Sequence, residues 1–254
     1  MPQTQSLLFK TDGPVATITL NDAASLNALS EEMLTGLIET LDRLEVDASL
    51  KAVILTGSGR GFCSGANLKS SIVDKRSGQF RDWIVHHLNP VVARIQSSRL
   101  PFIAAVNGPA AGAGVALAIG CDLIIASDRA KFVIGFAKIG VGMDLGASWT
   151  LPRAIGIHRT KQLAMLGRPL DAATALDWGL VTEVCVGEKL LERAGEICEE
   201  LLANSTPPAI ASIKSQLSHA AISDLETTLD YEAEVQAALV LTEESQKLIN
   251  SFGR

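Results

Sequence analysis

The chain has 254 residues, 47% of them hydrophobic and only 4% aromatic, which suits one large domain with an aliphatic, closely packed core. Its formal net charge of −6 argues against broad binding to nucleic acid or an anionic membrane, while leaving room for a local basic pocket. The four cysteines, Cys63, Cys121, Cys185 and Cys198, have neither metal-ligand spacing nor the density of a disulfide framework. With no basic stretch and apolar run in "MPQTQSLLFKTDG", they set a cytoplasmic expectation.

In chain order, "SLLFKTDGPVATITLND" reads as a β-hairpin turning at Asp12-Gly13. "LSEEMLTGLIETLDRLEVD" is an amphipathic helix with Ser30 as its cap and acids in the first turn. "LKAVILTGSG" is a buried strand, residues 70–80 are polar and weakly patterned, and "FRDWIVHHLNPVVARIQSS" is a helix that must kink or split at Pro90. "PFIAAVNGPAAGAGVALAIGCDLIIAS" is long enough to span a membrane. Asn107-Gly108-Pro109 and Cys121-Asp122 break it instead into strand, loop, buried helix and strand.

Beyond it, "CDLIIASDRAKFVI" is two strands around a turn, and Gly156 separates the helices "GASWTLPRAIG" and "HRTKQLAMLG". "DAATALDWG" is a short helix capped by Asp171, and "LVTEVCV" is a strand. The chain is then helical to its end, with prolines in the first turn of "STPPAIASIKSQLSHA". Alternating strands and helices followed by helices alone define an α/β fold with a helical appendage. The division falls into a core over residues 1–187 and a helical region over 188–254.

Three stretches carry candidate chemistry. In "RGFCSGANLK" Cys63 lies between glycines, like the nucleophile of a strand–turn–helix elbow. Ser58-Gly59-Arg60 separates it from the strand, however, and a small buried thiol is the better reading. "GPAAGAGVALAIG" is a partial dinucleotide fingerprint, with Leu117 where a third small residue belongs. Its small residues nonetheless expose N–H groups at the positive end of a helix. In "KIGVGMDLGASWTLPR" Asp144 stands alone among glycines and apolar residues. Spacing offers it two compatible roles, capping the helix that follows or facing a cleft. His86 and His87 read as a helical surface pair, and Lys69 as a solvated cation.

"GRGFCSGANLKS", "PFIAAVNGPAAGAGVALAIGCDLIIASDRAKF" and "KIGVGMDLGASWTLPRAIG…AMLGRPLDAATALDWGLVTEV", in that order and spacing, resemble the crotonase, or enoyl-CoA hydratase/isomerase, superfamily over nearly the whole chain. The resemblance implies a spiral of ββα units with a C-terminal helical oligomerisation region that forms a homotrimer or hexamer. It implies an acyl-CoA thioester substrate, with CoA part of the substrate and no separate cofactor or metal. Two backbone N–H groups, at Ala66 and Ala113, would stabilise an enolate oxyanion, and Cys63, Asn67, Leu68, Lys69, Gly112, Ala116, Phe136 and Val141 would line the substrate site.

The two glutamates that hydratases of the family use fall at Ala116 and Phe136, neither of which transfers protons. Asp144 remains, at a position where isomerase branches of the family carry an acid. The chain looks most like the ring-1,2-epoxyphenylacetyl-CoA isomerase and enoyl-CoA isomerase branch, with Asp144 as proton shuttle. This ranks double-bond isomerisation above hydration. The rivals are a hydratase with atypical acid/base residues, a dehalogenase-like enzyme with Asp144 as nucleophile, a non-catalytic acyl-CoA binder and a dinucleotide enzyme.

Overall fold

The computed structural model describes residues 6–67 and 77–251. The opening hairpin is present: β1 (Leu7–Asp12) and β2 (Val15–Leu20) pair antiparallel across the turn at Gly13. Ala16, Ile18 and Leu20 of β2 are buried while the residues between them are half-buried, as the two-residue period of a strand requires. α1 (Glu31–Val46) begins at Ser30, whose hydroxyl accepts the Met33 N–H, and it buries Met33, Leu34, Leu37, Leu41 and Leu44 along one face.

The remaining strands are β3 (Ala52–Gly57), β4 (Phe102–Val106), β5 (Ala110–Ala111), β6 (Leu123–Ser127), β7 (Lys131–Val133), β8 (Leu170–Asp171) and β9 (Glu183–Cys185). Between them run α2 (Ser77–Trp83), α3 (Asn89–Ser97), α4 (Ala113–Ile119), α5 (Ala147–Ile155), α6 (Ile157–Leu166) and α7 (Ala172–Asp177). α8 (Leu190–Asn204), α9 (Pro207–Ala220), α10 (Leu225–Leu239) and α11 (Glu243–Ser251) close the chain. The main sheet has the order β1-β2-β3-β4-β6-β9 and is parallel from β2 onward, and β5, β7 and β8 form a small second sheet.

Alternation along β3 and β4 divides two cores. Val53, Leu55, Phe102, Ala104 and Val106 face the main one. Ala52, Ile54, Ile103 and Ala105 face the other, which α8 seals with Leu190, Ala194, Ile197 and Cys198. Strands covered on both faces read as continuous apolar runs, as these do. The helix expected to break at Pro90 splits into α2, a π-helical turn over Ile84–Leu88, and α3 with its proline in the first turn. The apolar stretch 101–127 divides into β4, β5, α4 and β6. No helix among the described residues is long and apolar enough to cross a membrane. The architecture is thus the α/β spiral with C-terminal helices that the motifs implied. The two-residue strands β5 and β8 are too short to leave a pattern in the sequence.

Candidate active site

Two loops meet at the carboxyl ends of β3 and β4, where parallel α/β sheets open their crevices. The first, after β3, is bolted down by side chains. Asn27 is fully buried with a left-handed φ of 58°. Its Nδ2 donates to the carbonyls of Ser58 (3.0 Å), Gly61 (2.9 Å) and Phe62 (3.1 Å), and its Oδ1 accepts the Asp22 N–H at 2.8 Å. Asn107 Nδ2 reaches the carbonyls of Gly59 and Gly61 from the second loop. In the sequence Asn107 stood out only as part of the Asn107-Gly108-Pro109 break, and Asn27 not at all. The one available signal is a lone amide in an apolar setting, "SLNAL" and "AAVNG", at the edge of a strand-forming run.

The loops then lie backbone to backbone. The Ala111 N–H donates to the Cys63 carbonyl at 2.9 Å, and the Leu29 N–H to that of Gly65 at 2.8 Å. A Cβ on Gly65 would lie 2.7 Å from Ala111 O and 3.2 Å from Ala113 N, and one on Gly114 would lie 2.2 Å from Cys63 O. These contacts explain the small residues in both motifs: any side chain would force the loops apart. Where they meet, the N–H groups of Ala66 and Ala113 have no hydrogen-bond partner among the described residues. Ala113 opens α4, so its N–H also stands at the positive end of the helix.

Cys63 is fully buried, and burial pushes its thiol up to about 12. It is no nucleophile at neutral pH, and it serves the loop through its carbonyl. Of the other expected lining residues, Ala66, Asn67 and Gly112 are half-buried at the junction, and Ala116 is fully buried inside α4. The Phe136 ring lies 3.8 Å from where a Cβ of Gly112 would be, and Val141 is 47% exposed. Leu68 and Lys69 lie outside the described residues.

Asp144 does not cap the following helix. α5 starts at Ala147 behind Gly146, with no side-chain cap, and the Ala147 N–H goes to the Asp144 main-chain carbonyl at 2.9 Å. The cause is two consecutive left-handed residues, Leu145 (φ 49°) and Gly146 (φ 74°). For leucine this conformation costs roughly 1–3 kcal/mol. Leu145 is 2% exposed, and burying a leucine contributes about 1.5–3 kcal/mol, enough to offset the strain. The Asp144 Oδ1 is buried without a hydrogen-bond partner. Burial raises the carboxyl to about 6, inside the range in which a group can both take and return a proton near neutrality. α5 packs on α4, whose first residue is Ala113, and Asp144 lies in the turn that leads into α5.

A cavity of about 700 Å³ lies elsewhere. It opens near Asp122 and Leu123, at the opposite ends of the strands, between Trp149 and Arg153 of α5 and Lys214 and Leu217 of α9. This cavity does not include the junction of the two loops.

The site thus combines two loop N–H groups without a hydrogen-bond partner among the described residues and a half-buried carboxylate at Asp144, on an α/β fold. The enoyl-CoA hydratase/isomerase family profile matches residues 10–253, and the chain belongs to this family. It is 38% identical over 233 residues to a 1,2-epoxyphenylacetyl-CoA isomerase of Escherichia coli, covering 91% of this chain and 88% of that one. It is 33% identical over 229 residues to a 4-chlorobenzoyl coenzyme A dehalogenase of an Arthrobacter species, covering 88% and 81%. Among solved structures, an enoyl-CoA hydratase from Bacillus anthracis superposes with a TM-score of 0.92 at 30% identity, covering 98% and 96%.

One expectation is corrected by these likenesses. Hydratase is the name carried by most of the similar proteins and solved structures, so hydration stands at least level with isomerisation, not below it. The ranking leaned on the absence of acids at Ala116 and Phe136. Two positions are a narrow basis for ranking reactions among proteins that share one fold.

Proposed function

We propose that the protein transforms an unsaturated acyl-CoA thioester through an enolate, with CoA supplied by the substrate. The thioester oxygen would accept hydrogen bonds from the N–H groups of Ala66 and Ala113, and Asp144 would move the proton. The observation that carries this reading is the pair of N–H donors on adjoining loops without a partner among the described residues, with Asp144, its Oδ1 buried and unpartnered, in the turn that enters α5. Donors fixed in advance stabilise charge that appears only as the enolate forms, and one such donor is worth about 3–4 kcal/mol.

The reaction put first is reversible addition of water to a 2-enoyl-CoA, since four of the relatives are named as enoyl-CoA hydratases. With one carboxylate the steps balance. Asp144 takes a proton from water as hydroxide adds to C3, the thioester holds the charge as enolate, and Asp144 returns the proton to C2. A second reading is a double-bond shift, in which Asp144 takes a proton from C2 of a 3-enoyl-CoA and returns it to C4 of the dienolate. The apolar side chains of Ala116 and Phe136 and the likeness to an isomerase favour it. We further place the protein in the cytoplasm as a homotrimer or hexamer.

Product analysis in D₂O tests the proposal. Wild type and Asp144→Asn are each given a 2-enoyl-CoA and a 3-enoyl-CoA, and products are followed by mass spectrometry. A 3-hydroxyacyl-CoA carrying one carbon-bound deuterium, reduced about 10²–10⁴-fold in the variant, is the expected result. A 2-enoyl-CoA formed from the 3-enoyl thioester, and lost in the variant, selects the second reading. Tight thioester binding with no turnover would overturn both.

A further inference from the structure

We propose that Leu145 is the positioning residue for Asp144: its buried side chain holds the left-handed turn that keeps the carboxylate off the N-terminus of α5. This rests on the catalytic reading of Asp144, and its test is chosen to stand apart from that reading.

The argument is a comparison within the chain. Asp171 and Asp224 each precede a helix, and each accepts the N–H three residues on, that of Thr174 at 2.8 Å and that of Thr227 at 2.9 Å. Both carboxyls are held below the usual range, first of all by that backbone hydrogen bond. Asp144 has the same spacing to Ala147, the residue that opens α5. With Leu145 and Gly146 in right-handed conformations, the helix would begin at Leu145 and Asp144 would be its cap.

A capped carboxylate is stabilised in its charged form and is a weak base. The left-handed pair prevents this, and the Ala147 N–H goes to the Asp144 main-chain oxygen instead. Glycine at 146 adopts such a φ without strain, whereas leucine at 145 does not. What holds Leu145 there is its burial in the main core, to which Phe136, Ala147 and Leu151 also belong.

No charged neighbour offers a competing account among the described residues. The burial of Asp144 and its own backbone N–H are the influences on it. α4, packed on α5, has no titratable side chain. On α6, His158, Arg159 and Lys161 are exposed. The Lys138 chain runs along Gly167, and Arg153 of α5 lies over the Trp149 ring.

The test is a carbon-detected NMR titration of the Asp144 carboxyl in wild type, Leu145→Ala and Leu145→Met, alongside the pH–rate profile. Wild type should titrate near 6. Leu145→Ala, which loses the anchor and keeps the strain, should titrate lower, in the direction that the caps Asp171 and Asp224 take. The acid limb of the rate profile should move down with it. Leu145→Met, close in volume, should stay near wild type.

A Leu145→Ala protein that melts earlier but titrates as wild type does would overturn the proposal, since a merely structural residue gives that result. If Leu145→Ala does not fold, Gly146→Ala penalises the same turn without touching the core. It must also lower the titration, and an unchanged value overturns the proposal. The titration reads the carboxyl whether or not the protein turns over. An Asp144→Asn variant with full activity would therefore sink the catalytic role and leave the result on the turn standing.

Discussion

Gly65 shows how narrow the tolerances are at a single residue. Its φ is 93°, and the Cβ it lacks would sit 2.7 Å from Ala111 O, closer than such atoms approach. Gly65→Ala must therefore push the Ala66 loop away from the start of α4. We expect turnover to fall about 10²–10³-fold, the cost of misplacing one oxyanion donor, while affinity for free CoA changes little. Steady-state kinetics beside a CoA titration would check this, and a variant with unaltered turnover would remove Ala66 from the mechanism. Cys63, two residues away, illustrates the opposite case. It is the most conspicuous side chain of the motif, yet it is buried with its thiol at about 12. In the proposed mechanism the working parts of this loop are backbone groups, which every residue has and no residue advertises.

Among the elements, α9 is fastened to the core by one ion. Lys214 is 9% exposed; its Nζ lies 2.8 Å from the Asp122 carboxylate and donates to the carbonyls of Ile95 (3.1 Å) and Leu100 (2.7 Å). It thereby joins α9 to the end of α3 and to the turn that enters β4. Burial raises the Asp122 carboxyl and Lys214 opposes that rise, so each ion is tolerable because of the other. Lys214→Met leaves Asp122 buried without its partner and should cost about 3–5 kcal/mol. Adding Asp122→Asn should recover part of that loss in a double-variant cycle by urea denaturation. A cost near zero for Lys214→Met alone would show that apolar packing holds α9. The sequence shows an amphipathic helix with a lysine in it; nothing local says that this lysine points inward, because its partners are more than ninety residues away.

For the whole molecule, the C-terminal helices have more apolar surface than one copy covers. α10 and α11 bury none of their residues, and Leu225 (73%), Leu241 (80%) and Ile249 (53%) stand exposed. Exposed apolar surface of this kind is typical of association sites. For the homotrimer or hexamer proposed above, sedimentation equilibrium should return three or six times the 26.8 kDa of one chain. Leu229→Glu, on a residue 54% exposed, should lower that mass, and a wild-type species of one chain would refute the assembly.

Taken alone, the sequence determined the course of the chain. The Asp12-Gly13 turn, the Ser30 and Asp171 caps, the break at Pro90 and the apolar runs of β3 and β4 are local signals. Each acts within a few residues, so each could be read where it stood. The order of three glycine-rich motifs carried the family, and with it the expectation that Ala66 and Ala113 are backbone donors. Only the tertiary structure decided how those pieces bear on one another. It sealed β3 on both faces and placed Asn27 under the first loop. It turned Asp144 away from the helix it was spaced to cap. These outcomes depend on burial and on contacts between distant segments. Strain at Leu145 can persist because a packed core outweighs it, and no window of sequence contains that core.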